Sequence, residues 1–303
     1  MSISAAEVAS SPRSGDGAHR RSRRRRPIGP REVLVIAGRS FAIVLGLLFA
    51  LIPIYWLFSS AFKSDRELGQ VIPDLYPKQL NFGQFAGAIA APGFLSSLLL
   101  SAIVALVTTF LVLALGSFAA YAVTQWKFPG SEHFVLLTLF TQLLPQTAVI
   151  VPIYLLWESL GLVGSTGGLV LAYLFVTLPV GIWMLVGFFR SIPTELSEAG
   201  LMDGASRFRI LVSIVLPVAR PALAAVGVYT VISCWGEFLI ALVLLTGGTQ
   251  TVTVNLSMFI GEHNPNIGPL MAASAMATIP PLVLFFFLQR YFVAGLTGGA
   301  VKD

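Results

Sequence analysis

Charge is scarce in this chain: only 11% of its 303 residues are Asp, Glu, Lys or Arg, against 56% hydrophobic ones. An ordinary soluble domain carries about a quarter charged residues, so that class is excluded. The single cysteine, Cys234, excludes an intramolecular disulfide framework and a cysteine-based metal cluster, and its apolar surroundings make it a packing residue. Histidine is rare too, and His19, His133 and His263 stand far apart in loop or tail positions, which argues against a metal site. No G-x-x-x-x-G-K-[ST] loop occurs, so the chain lacks a phosphate cradle for hydrolysing ATP itself. Nothing supports catalysis, a bound cofactor or a metal.

What the chain does contain is long apolar runs. A helix needs about 20 mostly apolar residues to cross a bilayer. Six segments qualify: approximately Phe41–Phe62, Phe94–Val123, Phe134–Trp157, Leu169–Phe189, Ala219–Leu245 and Leu270–Phe292. The third is the most interrupted, with Pro145 and Pro152 about two turns apart. The expected fold is an all-α integral membrane protein with six transmembrane helices. It divides into an Arg-rich cytoplasmic tail (1–40), a membrane domain (41–292) and a short C-terminal tail (293–303).

The tail mixes Ser, Gly, Ala and Pro with Arg20, Arg21 and Arg23 to Arg26 and shows no apolar periodicity, which predicts disorder. Arginines beside a span are attracted to anionic lipid headgroups by roughly 1 kcal/mol each. A nucleic-acid partner fits poorly, because the next segment of the chain is lipid-embedded. A cleavable signal peptide fits poorly too: the basic region is too extended and the apolar run too long. With six spans both ends share one side, which holds 16 of the 19 Lys and Arg residues; the other side holds Lys63, Arg66 and Lys78. The positive-inside rule puts both termini, and the loop at 190–218, in the cytoplasm. The outer segments 63–93 and 246–269 are expected to form a rim for an external partner.

The loop at 190–218 is polar and helix-prone between two apolar spans. Ser191 and Pro193 are start signals, and Glu195 and Glu198 complement the positive end of a helix. Leu196, Ala199, Gly200 and Asp203 are predicted to share one narrow face that enters a groove on another protein. Gly204 supplies the turn. Phe208, Leu211, Val212 and Val215 form a second apolar stripe, with Pro217 as its terminator. The expected motif is helix–turn–helix, and spacing alone suits docking or resting on the bilayer surface.

The stretch EAGLMDGASRFRILVSIVLP (Glu198–Pro217) resembles the EAA signature of permease subunits of binding-protein-dependent ABC importers. Glu198, Ala199, Gly204, Ile214, Leu216 and Pro217 fall in register, and Gly200 replaces the second Ala. The segments AAYAVTQWKFPG (Ala119–Gly130), LLPQTAVIVPIYLLWESLGLVGS (Leu143–Ser165), FFRSIPTEL (Phe188–Leu196), WGEF (Trp235–Phe238) and QRYFVAGLTGGAVKD (Gln289–Asp303) are similar to the carbohydrate-importer branch. The maltose-type second permease subunit is the nearest likeness. The resemblance implies a type I importer fold, in the cytoplasmic (inner) membrane of a bacterium or archaeon. It also implies a second homologous permease, a cytoplasmic ATPase dimer that hydrolyses ATP with Mg, and an extracytoplasmic substrate-binding protein. Glu198, Ala199, Gly200, Asp203, Gly204 and Ala205 would then couple the chain to the ATPase. Gly236 stands where many relatives carry Asn.

Glu237 is the one acidic residue deep in an expected span, at a cost of roughly 2.5–3.5 kcal/mol near the bilayer centre, so it must face a partner or a wet cavity. It reads as an acceptor for sugar hydroxyls with Trp235 as a stacking surface, or as a helix-to-helix hydrogen bond. Gln142 and Gln146, around Pro145, read as pathway groups or interhelical glue. The expected function is import of a sugar or oligosaccharide. The alternatives are a polyol or glycerol-phosphate permease and, from another class, a self-sufficient secondary carrier.

Overall fold

The computed structural model describes residues 30–126, 129–260 and 267–298, and the described residues contain helices and no strands. They divide at Ile52–Pro53 into two compact units. The first holds the N-terminal part of α1 (Pro30–Ala61). The second holds the remaining elements, in which the site lies.

After α1 come a single helical turn α2 (Asp65–Leu68), α3 (Gly83–Ala90) and the long α4 (Phe94–Trp126). Next are α5 (Ser131–Phe140), a 3₁₀ turn (Thr141–Leu143), α6 (Gln146–Ser159) and α7 (Thr166–Phe189). The loop contributes α8 (Thr194–Met202), α9 (Arg207–Ile210), a π-helical turn (Leu211–Val215) and α10 (Leu216–Val218). The chain closes with α11 (Arg220–Gly236), α12 (Leu239–Leu244), α13 (Val252–Met258) and α14 (Ile267–Gly298).

Among the described residues, four helices are long and apolar enough to cross a membrane: Val35–Ala61, Phe94–Gln125, Thr166–Phe189 and Ile267–Phe287. Two helix pairs pass the same test only together and are bent, by 99° between Ser131–Leu143 and Gln146–Ser159 and by 82° between Arg207–Val218 and Arg220–Gly236, so the described spans number four, or up to six if each bent pair is counted as one. The break at Pro145 was expected from its missing N–H. The fifth span departs from expectation. It does not run as one helix over Ala219–Leu245: α11 stops at Gly236, Glu237 is extended with ψ 135°, and α12 begins afresh. The outer boundaries move as well. α1 begins at Pro30 inside the expected tail, and α14 continues past residue 292 to Gly298; residues 1–29 and 299–303 lie outside the described residues.

The core is a seam of α4, α7 and α11. Small residues allow the close approach: a Cβ at Gly181 would stand 2.6 Å from Val112 Cγ1, and one at Gly116 would stand 3.2 Å from Leu185 Cδ1. Val112, Ile182, Leu185 and Val226 fill the seam. Hydroxyls inside it bond their own helix: Thr109, Thr124, Thr177 and Thr230 each donate to the carbonyl four residues back, at 2.7–2.9 Å. A polar side chain is thereby satisfied without a partner helix.

The 63–93 segment is a folded cap. Lys63, only 1% exposed, donates from Nζ to the Asp74 carbonyl at 2.6 Å and lies 4.1 Å from the Trp56 ring centroid. Glu67 accepts from the Ser64 N–H and hydroxyl and from the Lys78 N–H. Those bonds hold its carboxyl at about 2, with the Ser64 N–H the largest cause.

Candidate coupling loop and transport cavity

The 190–218 loop folds as helix–turn–helix. Pro193, with extended backbone (φ −56°, ψ 132°), stands at the N-cap of α8, and Glu195 lies in the first turn where the dipole favours it. The helix ends in a Schellman motif: the Ala205 N–H reaches the Gly200 carbonyl and the Gly204 N–H the Leu201 carbonyl, both at 3.0 Å. Gly204 carries the left-handed angle this closure needs, φ +77°. Ser206 then caps α9 by accepting from the Arg209 N–H at 3.3 Å.

Glu198, Ala199, Asp203 and Gly204 are exposed and form one outward corner. Gly200 differs from expectation. It is buried against the second arm, where a Cβ would stand 3.0 Å from Ile210 Cγ1 and 3.1 Å from Ile214 Cδ1, so it does not share an outward face with Ala199 and Asp203. Ala205 is half-buried behind the turn. Pro217 does not terminate the second arm either. The π turn before it, with the Leu216 N–H on the Leu211 carbonyl, takes up one extra residue, and the helix continues to Val218 before the bend.

Inside the membrane domain, Glu237 occupies the break between α11 and α12. Its Oε1 accepts from the Ile240 N–H (2.9 Å) and Gln146 Nε2 (3.3 Å), and its Oε2 from the Tyr173 hydroxyl (3.0 Å) and the Ala241 N–H (3.1 Å). The two amides are orphan donors of the first turn of α12, and the carboxylate caps them. One side chain therefore ties α6, α7 and the broken fifth span together. Both carboxylate oxygens are fully engaged.

A cavity of about 410 Å³ opens beside this knot, lined by Gln146, Tyr173, Thr177, Tyr229, Ser233 and Gly236 among others. Gln142 and Gln146 line a second cavity of about 250 Å³, and Gln142 Nε2 donates to the Val176 carbonyl at 3.0 Å, in the turn before Pro179. Gln146 is common to both cavities. Trp235 is on neither. Its indole packs toward α14 and its Nε1 donates to the Ala277 carbonyl at 3.1 Å, so the expected stacking surface is not at the cavity. Tyr173 and Thr177, missed in the sequence, carry a weak signal: two polar residues one turn apart on a single face of an apolar span. Tyr229 and Ser233 repeat that spacing on α11. Among the described residues no three His, Cys, Asp or Glu side chains gather as a metal site.

Residues 112–298 match the family described as the binding-protein-dependent transport system inner membrane component. The chain belongs to that family. The trehalose transport system permease protein SugB of Mycobacterium tuberculosis is 33% identical over 257 residues, covering 84% of this chain and 93% of SugB. The trehalose/maltose transport system permease protein MalG of Thermococcus litoralis is 31% identical over 277 residues, covering 90% and 97%. Among solved structures, a chain of a bacterial ABC transporter involved in import of the acidic polysaccharide alginate superposes with TM-score 0.73 at 26% identity, over 88% of this chain and 99% of that one. The fold is that of a type I importer permease. This permease is a multi-pass inner-membrane transport subunit, and the ATPase of such systems is a separate chain.

Proposed function

We propose that this permease carries a sugar or oligosaccharide into the cytoplasm as one of two homologous membrane subunits. The complex would hold a cytoplasmic ATPase dimer, which binds ATP and Mg, and an extracytoplasmic substrate-binding protein. The chain itself binds no cofactor. The observation that carries this reading is the exposed corner of Glu198, Ala199, Asp203 and Gly204, built on a Schellman turn at the EAA-type signature. It lies on the side that the distribution of Lys and Arg assigns to the cytoplasm. The names of SugB and MalG support a saccharide cargo.

ATP-driven closure pushes the corner and biases a two-state membrane domain. Cargo passes beside Gln146, Thr177, Tyr229 and Ser233, hydroxyls and an amide suited to a neutral polyhydroxy solute. Glu237, already saturated, shapes the passage instead of binding the cargo.

The test is purification of tagged chain in mild detergent, with ATPase activity measured and co-purifying proteins identified. Recovery of an ATPase and a second six-span protein is expected, as is loss of ATPase association or coupling on substituting Glu198 or Gly204. A chain that purifies alone and still transports in liposomes refutes the reading and restores the secondary carrier.

A further inference from the structure

The loop is fastened to more than its own flanking spans. The last turns of α4 meet its second arm. The Arg207 guanidinium lies over the Trp126 ring, 5.3 Å from the centroid. Phe208 stacks on Phe118 at 6.0 Å with an interplanar angle of 13°. Between these contacts and α8 lies a cavity of about 370 Å³, lined by Tyr121, Trp126, Ser197, Glu198 and Arg207 among others. Tyr121 and Ser197 are each 6% exposed. The space is therefore roofed by the outward corner at Glu198 and floored by α4, with room for the two to close on one another.

α4 differs from the other long helices. α1 contains Pro53, α7 Pro179 and α14 Pro280 and Pro281, whereas α4 has 33 residues and no proline. At 1.5 Å per residue it is a continuous rod of about 50 Å. Its far end is anchored by buried groups. Phe94 is fully buried with its ring edge-on to Phe259 at 6.3 Å, and the Ser101 hydroxyl accepts from the Val252 N–H, the first helical amide of α13, at 2.8 Å.

We propose that Trp126 and Arg207 form a latch through which the loop drives α4 as a lever, carrying the ATPase stroke to α13 on the opposite side of the membrane. Both are positioning residues: neither lies on the cavity lined by Gln146 and Tyr173, nor on the outward corner. This rests on the importer reading above.

The experiment uses the complete transporter in liposomes, comparing Trp126→Ala, Arg207→Ala and the double variant. The readouts are subunit stoichiometry, basal ATPase, ATPase stimulated by loaded binding protein, and transport. Stoichiometry and basal hydrolysis should hold, while the stimulated-to-basal ratio and transport fall about five-fold or more. The double variant should be no worse than either single one, because a single contact is broken. Trp126→Phe and Arg207→Lys, which keep a ring under a cation, should recover most of the ratio, and they decide the matter if an alanine variant fails to assemble. A defect confined to Arg207, with Trp126→Ala fully coupled, means direct contact between Arg207 and the ATPase and overturns the latch. Full coupling in all variants overturns it too. Failure of the importer reading is separate and visible beforehand, as a wild-type chain that recruits no ATPase.

Discussion

The Trp235 indole donates its Nε1 hydrogen to the Ala277 carbonyl at 3.1 Å, and that carbonyl is the acceptor that Pro281 leaves without an N–H. In an unbroken helix the amide four residues on would fill it. Pro281 has none, so a side chain from α11 takes its place. Trp235 therefore joins α11 to α14 at its proline pair.

Trp235→Phe keeps most of the ring and removes the donor, stranding a carbonyl on buried Ala277. The expected cost is about 1–3 kcal/mol. Pro281→Ala supplies a helical N–H at the right position, so it should rescue Trp235→Phe. Thermal melts of the four proteins in a double-mutant cycle measure this, and strict additivity would show the indole bond to be incidental.

The Tyr173–Glu237 bond calls for a graded series. Tyr173→Phe removes one of two donors on Oε2, Glu237→Gln keeps one acceptor oxygen, and Glu237→Ala leaves the Ile240 and Ala241 amides bare. Stability should fall in the order wild type, Glu237→Gln, Glu237→Ala, with about 1–3 kcal/mol for each amide stranded. Transport should fall along with it, because the break between α11 and α12 loses its pin. A Glu237→Ala complex that melts with the wild type would mean water caps α12 equally well.

These two sites mark how far the sequence could be read. Apolar run length located the four helices that are long and apolar enough to cross a bilayer, because crossing demands it and little else does. Gly204 was legible because a helix followed by a left-handed residue has few chemical solutions. The break after Gly236 was not, since no proline stands there and its stabiliser, Glu237, looks like any other intramembrane carboxylate until its partners from α6 and α7 are in place. Trp235 misled for the same reason. Beside an acidic residue it suggests a sugar platform, and only the distance along the chain to Pro281 explains it. Gly200 misled through periodicity, which places residues on a face but not toward a neighbour.

The 63–93 cap should loosen in acid. The Glu67 carboxyl is held at about 2, against an ordinary 4.5, by hydrogen bonds from the Ser64 N–H first, then the Lys78 N–H and the Ser64 hydroxyl. A folded value below the unfolded one contributes stability above pH 4.5 and loses it as pH falls toward 2. Hydrogen exchange at the Ser64 and Lys78 amides should therefore speed up across that window, relative to its intrinsic pH trend. Glu67→Gln should flatten the response. An unchanged profile in that variant would assign the transition to another carboxylate.

Gly204 and Gly200 should respond oppositely to the same small addition. At Gly204 no atom lies within 4 Å of an added Cβ, yet φ is +77°, so the obstacle is the backbone alone. Gly204→Ala should cost about 1–2 kcal/mol and open the Schellman turn, whereas Gly204→Asn, which tolerates the left-handed region, should cost less. At Gly200 the backbone is helical and the obstacle is space, 3.0 Å to Ile210 Cγ1 and 3.1 Å to Ile214 Cδ1. Gly200→Ala needs those side chains to yield by a few tenths of an ångström and should be well tolerated, in keeping with the Ala of the EAA pattern. Gly200→Leu overpacks the joint by about 1–3 kcal/mol and should pry α8 from the second arm. Stimulated ATPase of the assembled transporter ranks the four variants. The expected order is Gly200→Ala nearest wild type, then Gly204→Asn, with Gly204→Ala and Gly200→Leu lowest. Equal loss in Gly200→Ala and Gly200→Leu would mean that Gly200 faces the ATPase after all.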